Sequence, residues 1–164
     1  MRRPPPPDTP FQPLAPNASH QQELGMNVPM ENFPGDLDLY VSGSPCQTFS
    51  QANKNPTGTA SRRGRLIYRQ VDYISLKRPK GFVLENVATL KTQFKGVRKQ
   101  ILKRCSEAGY NVSWKIMNAA EHGLAQTRPR MYIVGLRKDV LDEKKPFSWP
   151  KRLPHAKNLT QSLL

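Results

Sequence analysis

Residues 37–47 read LDLYVSGSPCQ, and this stretch decides the fold. Its first half is an apolar run typical of a short strand, and a Gly-Ser-Pro turn follows before the chain reaches Cys46. Open α/β folds hold their reactive groups beyond the carboxyl ends of their strands. The stretch therefore predicts a thiol at the edge of a sheet.

Two later segments place more polar groups beside apolar runs. Residues 82–87 read FVLENV, so a second short strand ends in the carboxylate of Glu85. Residues 126–136 read QTRPRMYIVGL, in which Arg128 and Arg130 precede a third apolar run. If these strands are neighbours, a thiol, a carboxylate and two guanidinium groups gather beside one sheet.

The periodicity of the remaining sequence predicts the element order βαβαββ. Apolar residues recur at helical spacing in 64–77 and 94–108, whereas short apolar or alternating runs predict strands at 37–41, 82–84, 110–116 and 131–136. This order is typical of a layered α/β domain with a mainly parallel sheet and a late antiparallel strand.

The composition divides the chain into three parts. Residues 1–35 hold nine of the sixteen prolines and have few apolar residues, so we expect a Pro-rich, disordered arm. Residues 36–141 carry the predicted elements. Prolines recur in residues 142–164 and interrupt any regular element, so we expect an irregular segment there.

The charge of the chain indicates a polyanionic partner. Lys and Arg number 26 against 12 Asp and Glu, which gives a net charge of +14. Residues 36–164 alone carry 24 against 9, or +15, so the charge lies in the part expected to fold. Nucleic acid is the first partner to consider, and a solvated basic surface without a partner is the alternative.

Other function classes find little support in the sequence. Cys46 and Cys105 are too few for a disulfide framework and lack the paired Cys/His spacing of a zinc site, so no metal site is expected. Cys105 lies at an apolar helical position and is expected to be packed. No apolar run approaches the roughly 18 residues of a membrane span, so an intracellular protein is expected.

Cys46 taken alone has several possible roles. It could be a nucleophile, a metal ligand, a redox thiol or a packing residue, and an unassisted thiol is only a few per cent ionised at neutral pH. Arg128 and Arg130 could supply positive charge beside it. A papain-like pairing with His122 lacks the expected local signature around Cys46.

The motifs together resemble the DNA (cytosine-5) methyltransferases. The order and approximate spacing of that family match Pro45-Cys46-Gln47, Glu85-Asn86-Val87 and Gln126-x-Arg128-x-Arg130, and residues 63–66, 79–84 and 118–123 agree with it. The match covers roughly residues 37–136. The resemblance implies part of a Rossmann-like, S-adenosylmethionine-dependent methyltransferase domain that acts on DNA.

The resemblance also implies roles for individual residues. Carbon 5 of cytosine is a poor nucleophile, and the Cys46 thiolate would add to carbon 6 to activate it. Glu85 would bind the ring nitrogen 3 and the exocyclic amine, and Arg130 with Arg128 would bind oxygen 2. Pro45 and Leu66 match positions that line the cofactor. The target cytosine would first flip out of the duplex.

The sequence departs from the family at both flanks. No Phe-x-Gly-x-Gly segment precedes Asp36, and residues 157–164 resemble only the lead-in to the target-recognition region of the family. We expect a fragment of a longer gene product, inactive alone, or else a truncated relative. Methylation of tRNA cytosine and a catalytically dead nucleic-acid-binding module are the alternatives. The compartment would be the nucleus of a eukaryote or the cytoplasm of a bacterium.

Overall fold

The structure, a computed structural model, describes residues 29–33, 35–44, 49, 64–142 and 144–153. Its helices and strands follow the predicted order βαβαββ. The strands are β1 (Leu39–Gly43), β2 (Gly81–Val87), β3 (Tyr110–Asn118) and β4 (Pro129–Arg137), and the helices are α1 (Leu66–Lys77) and α2 (Lys95–Glu107). Short 3-10 turns lie at Met30–Asn32, Ala88–Lys91, Ala119–His122 and Lys138–Val140.

The four strands form one sheet in the order β1-β2-β4-β3. β1 and β2 are parallel, and β4 lies antiparallel between β2 and β3. Three strands therefore run in one direction and β4 runs against them. This arrangement confirms the predicted α/β sheet with a late antiparallel strand.

Both helices pack on the same face of the sheet. Strand side chains that point toward them alternate with side chains that point away, as a pleated strand requires. The buried core on the helical face contains the following residues: Val71 and Ile74 of α1, Ile101 and Cys105 of α2, and Phe82, Leu84, Tyr110, Met131 and Ile133 of the sheet. The alternation predicted for 110–116 is confirmed, since Tyr110, Val112, Trp114 and Ile116 belong to or pack against this core.

The opposite face of the sheet is more open. Leu39 and Val41 of β1 are 57% and 65% exposed there. At the other side of this face, a cavity of about 450 Å³ lies between strands β3 and β4 and a later segment, which lines it with Leu141, Asp142, Pro146, Phe147 and Trp149. Trp149 donates from Nε1 to Ser113 Oγ at 2.9 Å, which attaches this segment to β3.

One close contact fixes the alignment of β2 with β4. Gly135 pairs with Phe82, and a β-carbon added to Gly135 would lie 2.1 Å from Cε1 of the Phe82 ring. Only glycine leaves room for that ring at this register.

No helix in the part of the chain that the structure describes is long and apolar enough to cross a membrane.

Candidate active site

The carboxyl end of β1 lies directly beside Glu85. Gly43 pairs with Glu85 in the parallel ladder, so their side-chain positions share the open face of the sheet. A β-carbon on Gly43 would lie 3.1 Å from Oε2 of Glu85, closer than an ordinary contact. Glycine at position 43 therefore leaves space for the carboxylate. Pro45 and Cys46 follow in sequence but lie outside the described residues.

Glu85 forms an ion pair with Arg130 on that face. Arg130 Nε lies 2.9 Å from Glu85 Oε1, and the side chains are 18% and 31% exposed, respectively. The ladder explains the meeting, because Arg130 pairs with Val87, two residues from Glu85 on the same face. Arg130 Nη1 also donates to the Pro129 carbonyl at 2.9 Å, which orients the guanidinium group. The structure therefore brings together two of the predicted site residues.

A buried hydrogen bond ties the end of β1 to β2. Asn86 donates from Nδ2 to Ser44 Oγ at 2.6 Å, and its Oδ1 accepts from the Val87 amide at 2.8 Å. Asn86 and Ser44 are only 4% and 6% exposed. Both groups of the Asn86 amide are satisfied, so this side chain holds the backbone that leads toward Cys46 rather than projecting into solvent.

α1 makes a second polar contact with β1. Gln70 donates from Nε2 to Ser42 Oγ at 2.7 Å. Leu66, the residue predicted to line the cofactor, is the first residue of α1 and is 8% exposed. Most of its side chain is therefore occupied by packing.

Arg128 occupies a different environment from Arg130. Its side chain is exposed and has no polar contact among the described residues. Its backbone amide donates to Asn118 Oδ1 at 2.9 Å, and the same oxygen accepts from Ala120 at 3.3 Å. Asn118 thus closes the loop that precedes β4 and positions the start of the strand that carries Arg130.

Cys105 is buried in the core, as predicted. Burial raises the pKa of its thiol from the ordinary 9.0 to about 12, against a smaller opposing effect of the Arg104 charge. A protonated, enclosed thiol is a poor nucleophile. Within the described residues, no group of three or more His, Cys, Asp or Glu could hold a metal ion.

Three positioning residues were not identified as such from the sequence. Gly43 and Ser44 act on residues distant in the chain, since Ser44 lies 42 positions from Asn86, whereas Asn118 accepts from the backbone amides of Ala120 and Arg128 within its own loop. The only available signal was their place at the predicted ends of strands, where polar and glycine residues often have specific roles.

The described part of the site can bind a group that offers both a donor and an acceptor. A carboxylate can receive an N–H or, when protonated, donate to a ring nitrogen, and an adjacent guanidinium can donate to a carbonyl oxygen. Both side chains retain exposed surface on the open face of the sheet. This pair suits the edge of a polar heterocycle better than an apolar ligand.

The comparisons with known proteins agree with this chemistry. The family model for C-5 cytosine-specific DNA methylases matches residues 17–164. The type II methyltransferase M.Sau96I of Staphylococcus aureus is 39% identical over 117 residues, which are 70% of this chain and 27% of that protein. M1.ScrFI of Lactococcus lactis subsp. cremoris is 42% identical over 119 residues, which are 72% of this chain and 30% of that protein.

A solved structure supports the fold at lower identity. The methyltransferase EhMeth of Entamoeba histolytica superposes with a TM-score of 0.52 and 19% identity, covering 71% of this chain and 36% of that one. The match covers less than a third of the length of the curated relatives M.Sau96I and M1.ScrFI.

Proposed function

The chain belongs to the C-5 cytosine-specific DNA methylase family, and from this membership we propose that it carries the base-binding and nucleophilic part of an enzyme that methylates carbon 5 of cytosine in DNA. The observation that supports this best is the ion pair of Glu85 with Arg130, which lies beside the end of β1. β1 ends at Gly43, three residues before Cys46 in the sequence. Acting on DNA, the protein would work in the cytoplasm of a bacterium or the nucleus of a eukaryote.

The first chemical step is assigned to Cys46. Its thiolate would add to carbon 6 of the cytosine and make carbon 5 nucleophilic, as an enamine carbon is. Because a base stacked in a duplex hides both ring faces, the target cytosine would be flipped out before attack. Cys105 cannot substitute, since it is buried in the core with a pKa near 12.

Glu85 would stabilise the charge that develops in the ring during this attack. A protonated Glu85 can donate to ring nitrogen 3, and general acid catalysis of this kind is worth roughly 10²–10⁴-fold. Oε1 of Glu85 pairs with Arg130, and Oε2 lies in the space that Gly43 leaves open, so the carboxyl group is held on one side and has room on the other. This preorganisation lowers the cost of aligning the acid with the base.

Arg130 would bind oxygen 2 of the cytosine while it orients Glu85. Its guanidinium group has five donors, and only part of them are used by Glu85 and the Pro129 carbonyl. Arg128 would act nearby as a second cationic group, through its exposed side chain, toward oxygen 2 or a phosphate.

S-adenosylmethionine would supply the methyl group when bound. The described residues do not by themselves fit a complete site for it: Leu66 is largely buried by its own packing, and the cavity beside Trp149 is lined by none of the predicted site residues. Pro45 and Leu66 would contribute only one wall of its pocket.

Covalent trapping tests this proposal without a full catalytic cycle. Duplex DNA with one 5-azacytosine offers a more electrophilic carbon 6, so a competent Cys46 should form a denaturant-resistant complex. We expect the purified 164-residue chain to form it, and Cys46→Ala to abolish it while Cys105→Ala retains it. Salt-sensitive binding without an adduct would instead support the nucleic-acid-binding module.

A parallel arm separates DNA from RNA as the substrate. The same analogue is placed in a tRNA, and the yields of adduct are compared at equal concentration. We expect a higher yield with duplex DNA. A preference for the tRNA adduct would favour the alternative function of tRNA cytosine methylation.

A further inference from the structure

A row of lysines extends along the exposed side of α2. Lys95, Lys99 and Lys103 are exposed and recur every fourth residue, so they lie on one side of the helix at intervals of about 6 Å along its axis. Lys91, also exposed, ends the 3-10 turn that leads into α2. We call Lys95, Lys99 and Lys103 the lysine row.

The arginines of α2 have structural contacts that the lysine row lacks. Arg98 stacks over the Trp114 ring at 4.5 Å and donates to the Lys91 carbonyl at 3.0 Å. Arg104 pairs with Asp72 of α1. Lys95 and Lys99, in contrast, have no carboxylate partner among the described residues, and Lys103 reaches only the exposed Glu107 at 3.7 Å.

The lysine row opposes the stability of the helix that carries it. Like charges four residues apart repel, and Lys95 stands in the first turn, where the helix dipole disfavours a cation. The first turn of α2 contains no acidic residue that would offset this. The lysine row is thus a local pattern that costs stability with little contact in return, and such patterns are expected at functional sites.

The position of α2 relates the lysine row to the candidate site. β2 ends at Val87, two residues after Glu85, and the chain turns through Ala88–Lys91 directly into α2. The row therefore starts near the end of the sheet at which β2 stops, but on the helix-covered face, whereas the side chain of Glu85 lies on the open face. A long polyanion that spans this end of the sheet can contact both faces, whereas a single nucleotide cannot.

We propose that the lysine row is a second contact for duplex DNA, one that binds the phosphate backbone flanking the target cytosine. The proposal rests on the proposed function and names a part of its DNA-binding surface. A duplex presents one phosphate charge per roughly 1.7 Å of its axis, so the row of about 12 Å faces several phosphates. The contact carries no base specificity, because ammonium groups on phosphates fix position but do not read sequence.

The salt dependence of binding tests the contact. The affinity of the full chain for a duplex with one target cytosine is measured by fluorescence anisotropy between 50 and 200 mM salt. The slope of log affinity against log salt is negative, and we expect the triple variant Lys95→Gln, Lys99→Gln, Lys103→Gln to make it shallower by about 0.9 per lost phosphate contact, or about 2 to 3 in all. The triple change to Arg, which keeps the charge, should retain the wild-type slope.

A matched control separates the row from net charge. Lys138→Gln, Lys144→Gln, Lys145→Gln removes the same charge from exposed positions outside α2 and is expected to change the slope by less than 1. If the two triple Gln variants change the slope equally, or if the α2 variant keeps the wild-type slope, the proposed phosphate contact of the lysine row is refuted. The proposed function would still stand. If the wild-type chain does not bind the duplex at any salt concentration, the proposed function itself fails.

Discussion

Gly43 and Glu85 face each other across the β1–β2 ladder so closely that a β-carbon on Gly43 would lie 3.1 Å from the Glu85 carboxylate. The other oxygen of that carboxylate faces Arg130. A change at position 43 is therefore transmitted to a residue that we assign to catalysis, although position 43 itself has no reactive group.

Gly43→Ala is expected to slow covalent trapping by the 5-azacytosine duplex by roughly 10- to 100-fold, because it displaces the Glu85 carboxyl group by a few tenths of an ångström or more. The measurement is the rate of adduct formation at saturating DNA. Gly35→Ala is the matched control, since its β-carbon makes only an ordinary 3.6 Å contact with Lys77. Equal trapping rates for both variants would remove Gly43 from the site.

Arg130→Lys and Arg128→Lys should have different effects. A lysine at position 130 cannot reproduce the guanidinium contact with Glu85 and the Pro129 carbonyl, so we expect a loss of trapping rate of roughly 10²-fold. Arg128 is exposed without a polar partner among the described residues, so its change to lysine should cost less than about 10-fold. A greater loss at position 128 would contradict this assignment.

The Ser44–Asn86 hydrogen bond should be visible as an energetic coupling. Asn86→Ala and Ser44→Ala each leave a buried polar group without its partner, so each is expected to lower the free energy of unfolding by about 1–3 kcal/mol. The double variant should lose less than the sum, with a coupling of about 1 kcal/mol. Urea unfolding of the four proteins measures it, and strict additivity would show that the bond contributes nothing.

Gly135→Ala and Gly96→Ala are expected to change stability in opposite directions, because position 135 is packed and position 96 is open. Alanine at 135 clashes with the Phe82 ring, and we expect a loss of stability of about 1–3 kcal/mol or more. Position 96 lies in α2 with open space around it, so alanine there should stabilise by about 0.5–1 kcal/mol. Thermal unfolding distinguishes the opposite signs, and a stabilised Gly135→Ala would refute the register of β2 and β4.

The raised pKa of Cys105 should make stability depend on alkaline pH. The folded thiol stays protonated to about pH 12, whereas the unfolded thiol ionises near its ordinary 9.0. The stabilisation is complete below pH 9.0 and is lost as the pH rises toward 12, by up to about 1.4 kcal/mol per unit. Urea unfolding between pH 8 and 10.5 should show a steeper decline for wild type than for Cys105→Ala. Parallel declines would contradict it.

The regular elements were predictable because each follows a local pattern. The apolar spacing of α1 and the alternation of β3 gave their positions to within a few residues. β2 extends to Val87, beyond the predicted 82–84, because Glu85 and Asn86 are polar and enter the strand only through pairing with Tyr132 and Met131. Tertiary pairing of this kind leaves no periodic signal in the sequence.

The candidate site was predictable by motif but not by geometry. The sequence grouped Arg128 with Arg130, yet only Arg130 lies within β4 and reaches Glu85. Arg128 precedes the strand, where Asn118 holds its backbone amide. The two arginines are only two positions apart in the chain. Because β4 begins at Pro129, Arg130 belongs to the strand and Arg128 does not.

The tight fit of Phe82 over Gly135 has a consequence for natural variation in this chain. It sets the alignment of the whole β2–β4 ladder, which also pairs Val87 with Arg130 at its far end. A slip of one residue would turn Arg130 to the helix-covered face, away from Glu85. A substitution in the hydrophobic core can therefore inactivate the site while every reactive side chain is intact. Inspection of the reactive residues alone then overestimates how many variants are active.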